Sequence, residues 1–196
     1  EQLKTYNEQI LCKDARLNYL AYFDTLTGLP NRQMIAERLQ LLIKLAQKKK
    51  SIYLVFFDVD NFKQVNDTLG YRAGDDLLAK ITEILIEGMA PEDLAGRLGG
   101  DEFALLIQQP LDEDDAFCFI NRIRERISEI KIPEAPNIRP SASFGIAVYP
   151  YDGEEVVELI KCADTAMYKA KETGRNNIQF YRKEMKDEIL GKNPRR

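Results

Sequence analysis

Two hydrophobic rhythms alternate along this chain. Ile52-Tyr53-Leu54-Val55-Phe56-Phe57 is apolar without interruption, as a central strand covered on both faces requires, and the strand is predicted to reach Val59. Elsewhere apolar residues return every third or fourth position, the period of a helix with one buried face. A helix over about 32–48 buries Ile35, Leu39, Leu42 and Ile43, with Asn31 as its N-cap. Lys48-Lys49-Lys50 then complements that helix's C-terminal dipole. A short helix begins near Asn61, Gly70 and Gly74 punctuate it, and a longer helix to about Gly88 turns Leu77, Leu78, Ile81, Ile84 and Leu85 inward. Two strands flank a Gly99-Gly100 hairpin. A helix over 112–130 buries Phe119, Ile120, Ile123, Ile127 and Ile130, opened by the acidic run 112–115. A strand over 141–148, a helix over 153–173 and a strand over 178–181 follow. The predicted class is α/β (α+β), a β-α-β-β-α-β ferredoxin-like order with an appended helix and strand.

Residues 1–23 form a separate helical pattern. Leu3, Ile10 and Leu17 fall seven apart, with Tyr6 and Leu20 on the same seam and Lys13 interrupting it. The pattern fits a lone amphipathic helix or the end of a coiled coil entering from an upstream domain. The segment 24–32 reads as a tight connection. The expected division is a linker helix over 1–23, one domain over 24–182 and a charged tail over 183–196.

Composition narrows the chemistry. The 196 residues carry a net charge of −4, which argues against a nucleic-acid polymer as partner. There is no histidine, so His-based triads, bases and metal sites are excluded. The three cysteines, Cys12, Cys118 and Cys162, fit neither a disulfide framework nor a zinc site. Two fall in helical patterns, where a free buried cysteine acts as a small hydrophobe. A reducing, cytoplasmic location is expected. No apolar run approaches membrane-spanning length, so no membrane contact is expected of this chain. The sequence starts at Glu1, as a fragment of something longer would.

The carboxylates are the first candidates for chemistry. Asp58 closes the buried strand, Asp60 follows, and Asp101 follows the glycine pair. In the split order the first strand pairs with the hairpin strands, bringing these acids to one end of the sheet. Hard cations take one or two such carboxylates and fill the rest with water and phosphate oxygens. The competing reading makes Asp58 and Asp60 turn or cap residues. Lys63, in the first turn of a helix, suits phosphate or plain surface exposure. Lys171 and Arg175 suit phosphate or a helix C-terminus. Asn66 and Asp75 have the donors and acceptors to read a guanine edge, although Asp75 equally suits the N-cap of a helix starting at Asp76.

Five ordered segments carry a resemblance. They are residues 24–32 (DTLTGLPNR), 58–67 (DVDNFKQVND), 99–103 (GGDEF), 143–147 (SFGIA) and 170–176 (AKETGRN). Together they resemble the GGDEF family, the diguanylate cyclases, over about 22–181.

The resemblance implies a palm-like sheet and the condensation of two GTP into cyclic di-GMP and pyrophosphate. It implies Asp58, Asp101 and the Val59 carbonyl as ligands of two Mg²⁺ (or Mn²⁺) per site, and Asp101 and Glu102 as catalytic acids. Lys63, Lys171 and Arg175 would hold phosphates, and Asn66 and Asp75 would read guanine. Each protomer holds one GTP, so a homodimer is implied, governed by an upstream sensor through the helical seam. Two departures stand out. Tyr71 follows Gly70 where the family often has histidine, leaving a side-chain substrate contact open. The family's inhibitory Arg-x-x-Asp is reduced to Ala90 and Asp93, so feedback inhibition there is expected to be weak or absent. The end of the chain, from Tyr181 to Met185, resembles a connector into an EAL-type phosphodiesterase domain. The alternative implied is a catalytically silent GTP-binding domain that regulates such a neighbour.

Overall fold

The computed structural model describes residues 13, 16–108 and 112–185. Ile52–Val59 forms β1, buried at all eight positions. It lies at the centre of a five-stranded sheet ordered β2-β3-β1-β4-β5. The other strands are Leu94–Gly99 (β2), Glu102–Ile107 (β3), Ala142–Tyr149 (β4) and Ile178–Phe180 (β5). β1 is antiparallel to β3 and β4, and β5 joins β4 in parallel. Only one hairpin strand therefore pairs with β1; β2 lies outside β3 at the sheet edge. The expected α/β palm with appended elements is the observed fold.

The helices are Arg32–Ala46 (α1), Phe62–Leu69 (α2), Tyr71–Gly88 (α3), Glu113–Ser128 (α4) and Val156–Glu172 (α5). Two cores form on the two faces of β1. Tyr53, Val55, Phe57 and Val59 pack with α3 and α4, and Ile52, Leu54 and Phe56 pack with α1 and α5. This two-sided burial is why the strand reads as an unbroken apolar run. Phe57 stacks between Phe103 and Phe144, with ring centroids at 5.0 and 4.7 Å. These three rings tie together the strand ends that carry the candidate site. At Gly145 an added Cβ would lie 2.1 Å from the Met167 backbone nitrogen, so α5 rests directly on β4.

Several local expectations change. α1 ends at Ala46 with Gln47 in the left-handed region, so the three lysines lie beyond the helix, and Lys48 pairs with Glu154 at 2.5 Å. Ile43 is only partly buried, as are Phe119 and Ile130. α3 begins at Tyr71, so Gly74 lies inside it rather than at its start. Cys118 is exposed, so it is not a core hydrophobe, while Cys162 is half-buried and packs against the core shared by α1 and α5. Asp112 caps α4, accepting from the Asp115 backbone N–H at 2.8 Å. Residues 16–22 are helical and leave Leu17, Tyr19 and Leu20 exposed. Leu3, Tyr6, Ile10 and Cys12 lie outside the described residues. Among the described residues no helix is long and apolar enough to cross a membrane.

Candidate active site

Asp58 is the penultimate residue of β1, opposite Glu102 of β3 and Ser143 of β4. The Val59 N–H donates to the Asp101 carbonyl at 3.2 Å, stitching the hairpin apex to the end of β1. Lys171, at the end of α5, places its ammonium 2.9 Å from Asp58 Oδ2. Burial pushes the Asp58 carboxyl above the ordinary carboxylate range; Lys171 pulls against this, while Asp101 and Asp60 add repulsion. The sheet end thus holds more negative charge than one lysine balances.

Among the described residues no group of three or more acids could by itself hold a metal ion. The expectation of three converging acids fails because Asp60 is fully engaged. Its Oδ2 accepts from the Ser141 hydroxyl at 2.7 Å and the Asn176 N–H at 3.0 Å, and its Oδ1 accepts from Ser143 at 2.6 Å. What remains is Asp58, Asp101 and the Val59 carbonyl. This oxygen donor set, with an ammonium already drawn to Asp58, fits a hard divalent cation that keeps water or phosphate as its other ligands.

The glycine hairpin is clamped from behind. Gly99 and Gly100 have φ of 133° and 54°, which a side chain would strain. Arg97 donates from Nε and Nη2 to the Gly100 carbonyl at 3.0 and 2.6 Å. Its Nη1 reaches Asp24 at 2.9 Å in a largely buried ion pair. Asp24 also accepts from the Thr27 N–H and hydroxyl at 2.9 and 2.7 Å. Burial alone would raise the Asp24 carboxyl, but Thr27 and Arg97 outweigh it and hold it below the ordinary range. The Arg97 N–H donates to the Pro30 carbonyl at 2.9 Å. The connection at 24–32 therefore grips the hairpin that carries Asp101 and Glu102. Arg97 carries no role in the sequence pattern alone; its signal is an arginine just before a Gly-Gly turn, with an acid in an upstream loop. Glu102 pairs with Arg32 at 3.2 Å, an exposed contact of small energy.

Lys63 lies exposed in the first turn of α2. Arg175 is exposed in the turn after α5, where Gly174, Arg175 and Asn176 all have positive φ (112°, 62° and 47°). Two non-glycine residues in that region cost about 1–3 kcal/mol each, which the surroundings must offset. Asn66 packs against Gly74, where an added Cβ would fall 1.9 Å from its Oδ1. That Oδ1 is buried without a hydrogen-bond donor. Asp75 is exposed in the second turn of α3 and is not an N-cap. Tyr71, four residues earlier, shares its helix face and is 78% exposed.

Asp93 is buried and accepts from the Gln108 N–H at 2.8 Å, while its own N–H donates to the Ala90 carbonyl at 3.0 Å. Its carboxylate is thus engaged by the backbone at the edge of β3.

Comparison with known proteins falls on the same elements. A family model described as "Diguanylate cyclase, GGDEF domain" matches residues 21–177. The Pseudomonas aeruginosa protein MucR, named a bifunctional diguanylate cyclase/cyclic di-GMP phosphodiesterase, is 41% identical over 167 residues, covering 85% of this chain and 24% of MucR. NbdA of the same organism, named a cyclic di-GMP phosphodiesterase, is 34% identical over 87% of this chain and 22% of its own length. The chain spans only about a quarter or less of these two relatives. The solved GGDEF domain of P. aeruginosa TpbB superposes with a TM-score of 0.80 at 32% identity, covering 86% of this chain and 99% of that one. The coiled coil and GGDEF domain of Caulobacter crescentus DgcB, solved with c-di-GMP, gives 0.80 at 26% identity, covering 91% and 95%. The chain belongs to the GGDEF family of diguanylate cyclase domains.

Proposed function

We propose that this domain is an active diguanylate cyclase that condenses two GTP molecules into cyclic di-GMP across a homodimer. The observation that carries the proposal is the Asp58–Lys171 pair beside Asp101 at one end of the sheet. Asp58, Asp101 and the Val59 carbonyl are the residues to hold two Mg²⁺ or Mn²⁺. When bound, such ions neutralise phosphate charge and raise the nucleophilicity of the attacking hydroxyl.

The remaining chemistry belongs to the chain. Lys63, Lys171 and Arg175 receive the triphosphate, and Lys171 exchanges its Asp58 carboxylate for a phosphate oxygen as GTP enters. Asn66 and Asp75 hold the guanine edge; the donorless Asn66 Oδ1 supports this, because a buried acceptor needs a partner. Tyr71, on the Asp75 face, borders the base. Glu102, held by Arg32, orients the hairpin side of the site. The 3′-hydroxyl of one GTP attacks the α-phosphorus of the other, the O–P bond forms as the hydroxyl proton passes to solvent water, and pyrophosphate leaves with the electron pair of the broken P–O bond. A second turn in the opposite sense closes the ring. Positioning and charge neutralisation supply the acceleration.

Each protomer holds one GTP, so two sites must face each other. The exposed Leu17 and Leu20 support a helical seam that pairs two chains under an upstream sensor in the cytoplasm. The engaged Asp93, with Ala90 in place of an arginine, supports weak feedback inhibition at that position. A second reading is a GTP-binding domain without turnover that controls an adjoining EAL phosphodiesterase. The phosphodiesterase named in both MucR and NbdA favours it.

Incubating the chain, dimerised through its N-terminal helix, with GTP and Mg²⁺ separates the two. Cyclic di-GMP with two pyrophosphates per product supports the cyclase; GTP binding without product supports the regulatory domain. Asp101→Ala is expected to lower turnover by about 100-fold or more.

A further inference from the structure

The second acid of the Asp58-Val59-Asp60 run has a task of its own. Its carboxylate joins three parts of the fold: the end of β1, the Ser141–Ser143 entry to β4, and the turn after α5. Both serines donate hydroxyls, and the third bond comes from the backbone N–H of Asn176. The Asp60 N–H returns a bond to the Ser141 carbonyl at 2.8 Å. The turn it grips has three successive residues at positive φ, with Arg175 in the middle. An arginine is an unfavourable choice there, so the turn needs an outside anchor. A backbone N–H held by a buried carboxylate supplies one. A second comes from α4, where Arg124 Nη1 donates to Asn176 Oδ1 at 2.9 Å while its Nε is held by Asn121 at 2.9 Å.

We propose that Asp60 is a positioning residue for triphosphate binding: it latches the Gly174–Asn176 turn to the metal-bearing strand and so fixes Arg175, with Arg124 as a secondary brace. The inference rests on the reading of Arg175 and Lys171 as phosphate ligands. It assigns the two acids of the run opposite duties. Asp58 faces the ion, and Asp60 faces inward and holds the phosphate loop at a set distance from it. No part of the guanine pocket touches this latch among the bonds described, so its loss acts on the phosphate end alone.

The test compares GTP with guanosine, both measured by calorimetry on the intact chain in EDTA. For Asp60→Ala, GTP affinity falls about tenfold while guanosine affinity stays within about twofold. Asp60→Asn restores the GTP affinity, because one oxygen still accepts from Ser141 and Asn176 and the serine hydroxyl can turn to accept from the new amide. With metal present, the alanine variant raises the KM for GTP more than it lowers kcat. Should Asp60→Ala fail to fold, Arg124→Gln carries the test, with GTP weakened about threefold and guanosine unchanged. An equal loss for GTP and guanosine, or no loss for either, overturns the latch. A wild-type chain that binds guanosine and GTP with the same affinity overturns the phosphate reading beneath it.

Discussion

The ammonium of Lys171 lies 2.9 Å from the carboxylate of Asp58, so the last turn of α5 and the end of β1 share one ion pair at the mouth of the site. The pair offsets part of the burial that disfavours the charged carboxylate of Asp58. It also makes this corner of the fold a place where stability and function oppose each other.

Asp58 is held above the ordinary value of 3.8, mainly by burial. The native state then binds its proton more tightly than the unfolded state. Stability falls as pH rises from 3.8 through the raised native pKa and stays lower at neutrality. Asp58→Asn removes that penalty. Thermal melts of the nucleotide-free chain at pH 7 are expected to rise above the wild-type temperature. Below the ordinary carboxylate pKa the gap closes, and product formation is lost at every pH. A lower melting point at pH 7 would show that the Lys171 bond outweighs burial.

Arg97 is the clamp on the hairpin. Arg97→Ala leaves Asp24 without its buried partner and the Gly100 carbonyl without its fork, and urea unfolding should show a loss of about 2–4 kcal/mol. Arg97→Lys does not restore it, because an ammonium cannot span both acceptors. Asp24 has a lowered pKa, so its contribution is complete above 3.8 and is lost as pH falls through the lower native value. The stability gap between wild type and variant therefore stays level from pH 8 to about 5 and narrows in acid. A gap that narrows instead toward alkaline pH would contradict this assignment.

Gly74 separates binding from folding. Its missing Cβ makes room for the Asn66 amide, which an alanine would displace. Within α3 the exchange gains helix propensity of up to about 1 kcal/mol. Gly74→Ala is expected to melt at or above the wild-type temperature while guanosine affinity falls about tenfold. Unchanged guanosine affinity would remove Asn66 from the base site.

What the sequence disclosed depended on the range of the forces involved. β1 was legible because its first six buried positions, Ile52 to Phe57, form an unbroken apolar run, and α4 because Asp112 caps it from the adjacent residue. Gly99-Gly100 was legible because glycine takes the positive φ of both turn positions without strain. The start of α3 was missed because Gly74 looks like punctuation, while its purpose is a contact with Asn66 across a helix–helix joint. Asp60 reads from sequence as a third metal acid because its true partners lie 81, 83 and 116 residues away. The Arg97–Asp24 bond spans 73 residues, so its two ends read as separate local features, an arginine before a Gly-Gly turn and an acid in an upstream loop. Neither spacing nor propensity encodes such links.

On the proposed function, Asp58 and Asp101 share divalent ions that grip a GTP tail. Anomalous scattering from Mn²⁺ in crystals soaked with a non-hydrolysable GTP analogue tests it most directly. Manganese density is expected between the two carboxylates, with Lys171 released from Asp58 to the phosphates. Manganese bound away from both acids, or an intact Asp58–Lys171 pair beside a bound triphosphate, would contradict it.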